Sequence, residues 1–229
     1  SEHLEGAGLL VAVDGAVIEQ STLGTYSDHS VVPIASASKW LTAATMMTLV
    51  DEGSVSLDAR VSTYLPEFTG PTGAATIRQL LSHTSGIASN DCIWDTTTTL
   101  DRCVARIATT KPASNPGTRF SYGNTSFSVA GRVIEVVTGQ SFEEAFEARI
   151  AEPLGMFDTR FSGESYPRTD NPVPAASAES TLHDYGRFVA MLAADGVLDG
   201  RRVLSRESVR EMERDQVAVD QDELRLPVQ

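Results

Sequence analysis

Residues 35–53 read Ala35-Ser36-Ala37-Ser38-Lys39-Trp40-Leu41-Thr42-Ala43-Ala44-Thr45-Met46-Met47-Thr48-Leu49-Val50-Asp51-Glu52-Gly53, and the fold turns on them. Trp40, Ala43, Ala44, Met47 and Val50 recur at the three- and four-residue steps of one helix face. Gly53 supplies a C-terminal stop. Ser36 falls at the helix start, three residues before Lys39. Positions i and i+3 share a face, so the lysine amine can reach the serine hydroxyl. The unpaired N–H groups and the positive dipole end of a helix N-terminus favour negative charge on an attacking or departing oxygen. A serine hydroxyl is a weak nucleophile until a neighbouring base takes its proton. Taken alone, the pair also reads as a capping serine followed by a surface lysine.

Upstream, Gly8–Val13 and Ala16–Gln20 are two β-prone runs joined by Asp14-Gly15, a hairpin signal because both turn positions need positive φ. A two-stranded hairpin needs sheet partners or a helix on its apolar face, and no equally convincing strand pair follows. Downstream the chain reads as helical. Thr76 caps Ile77–Leu81, and Leu100, Cys103, Val104 and Ile107 form an amphipathic stripe. Phe127, Ala130, Ile134 and Val137 form another, ended by Gly139, and Ser141 with Glu144 makes a capping box. Thr181 and Ser205 open two more helices. Residues 157–178, with their prolines and polar residues, are expected on the surface. Residues 215–229 show no clear period.

The chain has 229 residues, 41% of them hydrophobic, enough for one sizeable domain or two small ones. A net charge of −13 repels phosphate backbones and anionic membrane surfaces, which argues against nucleic acid as a partner. The apolar runs are too short to cross a bilayer. Ser1-Glu2-His3 reads as a trimmed or processed end. Cys92 and Cys103 are the only cysteines, and they read either as two buried thiols or as a local disulfide in an exported protein. No Cys/His zinc spacing or paired carboxylates point to a metal, so no cofactor is expected.

A second chemical element is Tyr122-Gly123-Asn124, in a turn before an amphipathic helix. A phenol beside a lysine can carry a proton if the local field lowers its ordinary pKa of about 10. The asparagine amide offers a donor and an acceptor to a substrate. Taken alone, these are a loop-anchoring tyrosine and a helix-capping asparagine. His83 has no acidic partner at triad spacing, so it is not expected to be catalytic, and His183 reads as a surface residue.

Together, in this order and setting, Ser36-Ala37-Ser38-Lys39 and Tyr122-Gly123-Asn124 resemble the serine β-lactamase and penicillin-recognising hydrolase family. The nearest branch is the class C-like one of class C β-lactamases, D-Ala-D-Ala carboxypeptidases and family VIII carboxylesterases. Residues 49–53, 64–68, 77–86, 116–120 and 153–156 are similar to the family as well, so the likeness runs from about residue 8 to about residue 212. It implies a β-lactamase/transpeptidase-like fold, α/β plus all-α, with an antiparallel sheet flanked by helices beside a helical domain. Residues 1–60 and 180–229 would belong to the α/β domain and 61–179 to the mainly helical one.

The resemblance also implies a two-step acyl transfer without a cofactor. Ser36 is the nucleophile, and Lys39 and Tyr122 share the proton work, either as neutral lysine base or as phenolate beside a lysine cation. Asn124 orients the substrate. That substrate is a small ester, amide or β-lactam, with esters favoured. The setting expected is secreted or periplasmic, with Cys92 and Cys103 bridged.

One departure stands out. The family's Lys-Thr-Gly or His-x-Gly third motif is absent, since Lys39 and Lys111 are the only lysines and neither is followed by x-Gly. The family's glycines before the helix at Thr181 are replaced by Ala175–Ser180. The expectation is an incomplete sheet whose C-terminal strands are missing from this chain, completed by a second polypeptide or further segment, because an unpaired edge invites aggregation. The alternative is a catalytically inactive relative with a binding or regulatory role.

Overall fold

Asp14 and Gly15 both adopt positive φ, 49° and 80°, as a tight Asp-Gly turn requires. They join β1 (Gly6–Val13) to β2 (Ala16–Gly24) as an antiparallel pair with an irregularity between Val11 and Ala12. The structure is a computed structural model describing residues 5–163, 165–166 and 169–217. The readings of Ser1–His3 and of residues 218–229 lie outside the described residues.

After the hairpin come β3 (Val32–Pro33), α1 (Ser38–Asp51), α2 (Val61–Tyr64), α3 (Ile77–Leu81), α4 (Leu100–Ala108) and α5 (Thr125–Thr138). Then α6 (Phe142–Phe146) runs through a π turn over Glu147–Ala151 into α7 (Glu152–Leu154). The described chain continues with β4 (Glu179–Ser180), α8 (Leu182–Ala193), β5 (Val197–Leu198), β6 (Arg201–Arg202) and α9 (Arg206–Glu213). β3 pairs with β4 and β5 with β6, each over two residues, too short for hydropathy alternation to reveal.

Local chemistry sets the helix ends. Thr76 with Gln79 and Ser141 with Glu144 form reciprocal capping boxes, while Thr181 and Ser205 accept from the backbone three residues on. Gly139 ends α5 at φ 71°. The hairpin finds its partner in α8. A Cβ on Gly186 would stand 2.4 Å from Leu10, so glycine there lets helix and strand approach closely. The opposite side of the hairpin is uncovered among the described residues, with Leu9, Val11 and Leu23 exposed.

Helix α1 departs from the one-sided stripe. Leu41, Ala44, Met46 and Leu49 are buried, but so are Ser38, Lys39, Thr42, Thr45 and Thr48, and Trp40 is 51% exposed. The hydroxyls make this possible. Thr45 Oγ1 donates to the Leu41 carbonyl at 2.9 Å, Thr48 Oγ1 to that of Thr45 at 2.7 Å, and Thr42 Oγ1 to that of Pro174 at 2.6 Å.

Residues 171–178 correct the expected surface segment, for all of them are buried. Pro172 and Pro174 have no N–H to satisfy, and Ser177 Oγ donates to the Phe161 carbonyl and accepts from Val173 N. Asn171 Nδ2 donates to the carbonyls of Cys92 and Asp95. The composition that reads as a loop here lets irregular backbone lie inside.

Cys92 and Cys103 are disulfide-bonded and both buried, which decides between the two readings of the pair. The bridge closes a loop of 11 positions between the 3₁₀ turn Asp91–Trp94 and α4. Replacing both cysteines by serine is expected to lower the unfolding free energy by about 2–3 kcal/mol, read by urea denaturation. Titration of the denatured, unreduced parent protein is expected to find no free thiol.

Candidate active site

Ser36 lies in a 3₁₀ turn, Ala35–Ala37, that runs directly into α1. Ala35 holds a φ of 45°, a left-handed conformation unusual for a residue with a Cβ. The turn is pinned by Ser38, whose Oγ donates to the Ala35 carbonyl at 2.6 Å and accepts from Ala178 N at 3.1 Å. Ser38 therefore points inward, and Ser36 is left exposed.

Lys39 is only 6% exposed, so the surface-lysine reading is wrong. Its Nζ donates to Ser36 Oγ at 3.3 Å, Asn124 Oδ1 at 2.9 Å and the Ala175 carbonyl at 3.1 Å. An ammonium has three donors and no acceptor, and here each donor has a partner. Asn124 occupies the N-cap position of α5 without making a capping bond, and its side chain turns to Lys39 instead. Nζ also lies 4.7 Å from the ring centroid of Tyr122 and 5.6 Å from that of Phe127.

Tyr122 is half exposed. Burial pushes its phenol up, but interactions with Ser36 and Lys39, together with the lysine charge, outweigh that and hold it below its ordinary value. All four residues singled out in the sequence, Ser36, Lys39, Tyr122 and Asn124, thus meet around one amine. The Ala175 carbonyl could not be anticipated, because a backbone acceptor carries no side-chain signature and its segment reads as surface.

His83 has a larger place than its sequence reading gave it. Its ring lies 4.5 Å from that of Tyr122, between Phe120 and Phe127, and its carbonyl accepts from Ser121 N at 2.8 Å. Its φ is 60°, and Nδ1 is buried with no hydrogen-bond partner among the described residues. Burial, and then the charge of Lys39, push its pKa down to about 4, which keeps the imidazole neutral. His183 is half exposed beside Asp184.

A cleft of about 500 Å³ opens from this cluster and takes in Ser36, Lys39, Tyr122, His83, Trp40 and Met47 among its walls. Among the described residues, no helix is long and apolar enough to cross a membrane.

The β-lactamase family model matches residues 1–227. The chain belongs to the β-lactamase family. It is 36% identical over 257 aligned positions to penicillin-binding protein 4 of Amycolatopsis lactamdurans, covering 94% of this chain and 66% of that protein. A β-lactamase candidate from Bacteroides dorei DSM 17855 superposes with a TM-score of 0.84 at 35% identity, over 94% of this chain and 67% of that one. A family VIII carboxylesterase, at 24% identity and a TM-score of 0.76 over 92% of this chain and 70% of that one, shares the fold. The chain thus has the β-lactamase/transpeptidase-like fold and spans about two thirds of the length of these relatives.

The depressed His83 pKa has a consequence for this β-lactamase-family fold. Between pH 6.5 and about 4 the unfolded chain takes up a proton at this histidine that the folded chain resists. Stability is therefore unaffected by this group above pH 6.5 and falls as pH drops through that window. A His83→Phe variant is expected to show a shallower loss of thermal midpoint from pH 6.5 to 4 than the parent. Equal slopes would contradict the assignment.

Proposed function

We propose that the chain is a serine hydrolase that forms an acyl-enzyme on Ser36 while cleaving an ester or amide. The observation that carries this reading is the buried Lys39 amine, shared between an exposed serine hydroxyl at the head of a helix and the Asn124 side chain. A lone scaffold role gives no reason for a buried amine to face an exposed hydroxyl. Family membership and a relative named as a penicillin-binding protein support it.

In the first step Ser36 Oγ attacks the substrate carbonyl carbon and its proton passes to Tyr122. The carbon–oxygen or carbon–nitrogen bond then breaks, and the proton goes on to the leaving group. Water adds to the resulting ester and releases Ser36 with the acid product. Tyr122 rather than Lys39 is assigned the proton because its phenol is held below its ordinary pKa by its interactions with Ser36 and Lys39 and by the lysine charge. Lys39 stabilises the phenolate by its charge. Asn124 positions the substrate, and the Ser36 backbone N–H at the helix head is one oxyanion donor.

Esters are the favoured substrates. The disulfide fits a secreted or periplasmic setting. Among the described residues β1 and β2 pair only with each other, and these unpaired outer edges support completion of the sheet by strands from a further segment or a second polypeptide. The second reading is a catalytically inactive binding relative of the same family.

Hydrolysis of p-nitrophenyl acetate decides between them. Ser36→Ala is expected to lower kcat/KM by more than about 10³-fold with an unchanged thermal midpoint. Hydrolysis that survives the substitution overturns Ser36 as nucleophile, and a parent protein without hydrolysis favours the inactive relative.

A further inference from the structure

Two of the three acceptors around Lys39 are held from one place. Residues 90–95 form the turn that contains Cys92, and the disulfide to Cys103 ties this turn to α4. On one side of it Asn90 N donates to Thr125 Oγ1 at 3.2 Å, at the residue directly after Asn124. On the other side Asn171 Nδ2 donates to the carbonyls of Cys92 at 2.9 Å and Asp95 at 3.0 Å, four positions before Ala175. Asn171 is buried, and both hydrogens of its amide group serve this one turn. A carboxylate or a hydroxyl in its place could not donate to two carbonyls.

Residues 171–178 belong to no helix or strand, so no ladder fixes their carbonyls. Anchors from outside position them instead. Gly131 of α5 lets Pro174 close in, since a Cβ there would stand 2.7 Å from Pro174 Cγ. Helix α1 takes hold through Thr42 at the Pro174 carbonyl, Lys39 at the Ala175 carbonyl and Ser38 at Ala178 N. We propose that Asn171 is a positioning residue for Lys39. It carries the placement of the disulfide-closed turn to the Ala175 carbonyl, and so sets where the buried amine stands relative to Ser36 and Tyr122. Its part in acyl transfer rests on the reading of Ser36 as nucleophile, whereas its part in placing the amine does not.

Without the Asn171 donors the Ala175 carbonyl is free to leave Nζ, and the amine is no longer held over the Tyr122 ring. Tyr122 faces Lys39 and His83, and a weaker lysine field lets its phenol return toward its ordinary value. The test labels tyrosine Cζ with carbon-13 and follows Tyr122, assigned by Tyr122→Phe, through pH by NMR. In Asn171→Leu its titration is expected to move up by about one pH unit. The acid limb of kcat/KM for p-nitrophenyl acetate should follow it, with kcat/KM at pH 7 falling about tenfold and KM little changed. A protein carrying Cys92→Ser and Cys103→Ser is expected to show the same movement. Adding Asn171→Leu to it should bring little more, because both act through one turn.

Gly131→Ala reaches the segment from the other side, through Pro174, and is expected to move Tyr122 in the same direction. It keeps the proposal open to refutation if Asn171→Leu folds poorly, with folding checked by circular dichroism. A Tyr122 titration that stays in place in folded variants, with only the thermal midpoint lowered, leaves Asn171 a purely structural role and overturns the proposal. Fully additive movements in the combined variant overturn the link through the disulfide-closed turn. A moved titration in a protein that hydrolyses no ester keeps Asn171 as the positioning residue and contradicts Ser36 as the nucleophile.

Discussion

A primary amine buried to 6% exposure is tolerated only if acceptors surround it, and Lys39 finds them at three distant points of the chain. Ser36 is 3 residues away, Asn124 is 85 and Ala175 is 136. Satisfying one ammonium therefore requires α1, the head of α5 and the buried segment before β4 to meet at one point. The neighbouring bonds run along the same seam, from Thr42 to the Pro174 carbonyl and from Ala178 N to Ser38. The polar residues of α1, costly to bury in isolation, are thus the means by which the helix is fixed in place.

That fixation shapes the chemistry. Ser38 faces inward to hold the turn, which turns Ser36 outward beside the amine. The lysine charge lowers the phenol of Tyr122 and helps keep His83 neutral beneath it. A protonated His83 would oppose the lysine at close range, whereas a neutral ring can serve as an aromatic seat for Tyr122 and Phe127. The cleft along α1 then extends from this polar cluster into apolar surface, a change of character within one helix.

Much of this was legible in the residues because it is local. The Asp14-Gly15 turn, the caps at Thr76, Ser141, Thr181 and Ser205, and the stop at Gly139 each depend on neighbours within four positions. Ser36 with Lys39 and Tyr122 with Asn124 were legible as spacings, and the structure brings the two pairs together. What escaped depends on distant partners. The two-residue strand pairs have no period, Trp40 is uncovered although it falls in the apolar repeat, and the Ala175 carbonyl is anonymous in sequence. Residues 171–178 look like surface because prolines and serines usually mark loops, yet a missing N–H and a hydroxyl that bonds backbone also let irregular chain be buried.

The most direct test of the account is the mass of the intact protein after brief exposure to an activated ester or a β-lactam, followed by peptide mapping. The account predicts a single acyl group on the peptide carrying Ser36, and no adduct in a folded Ser36→Ala variant. An adduct on another residue, or none on a folded protein carrying its full sheet, would contradict it.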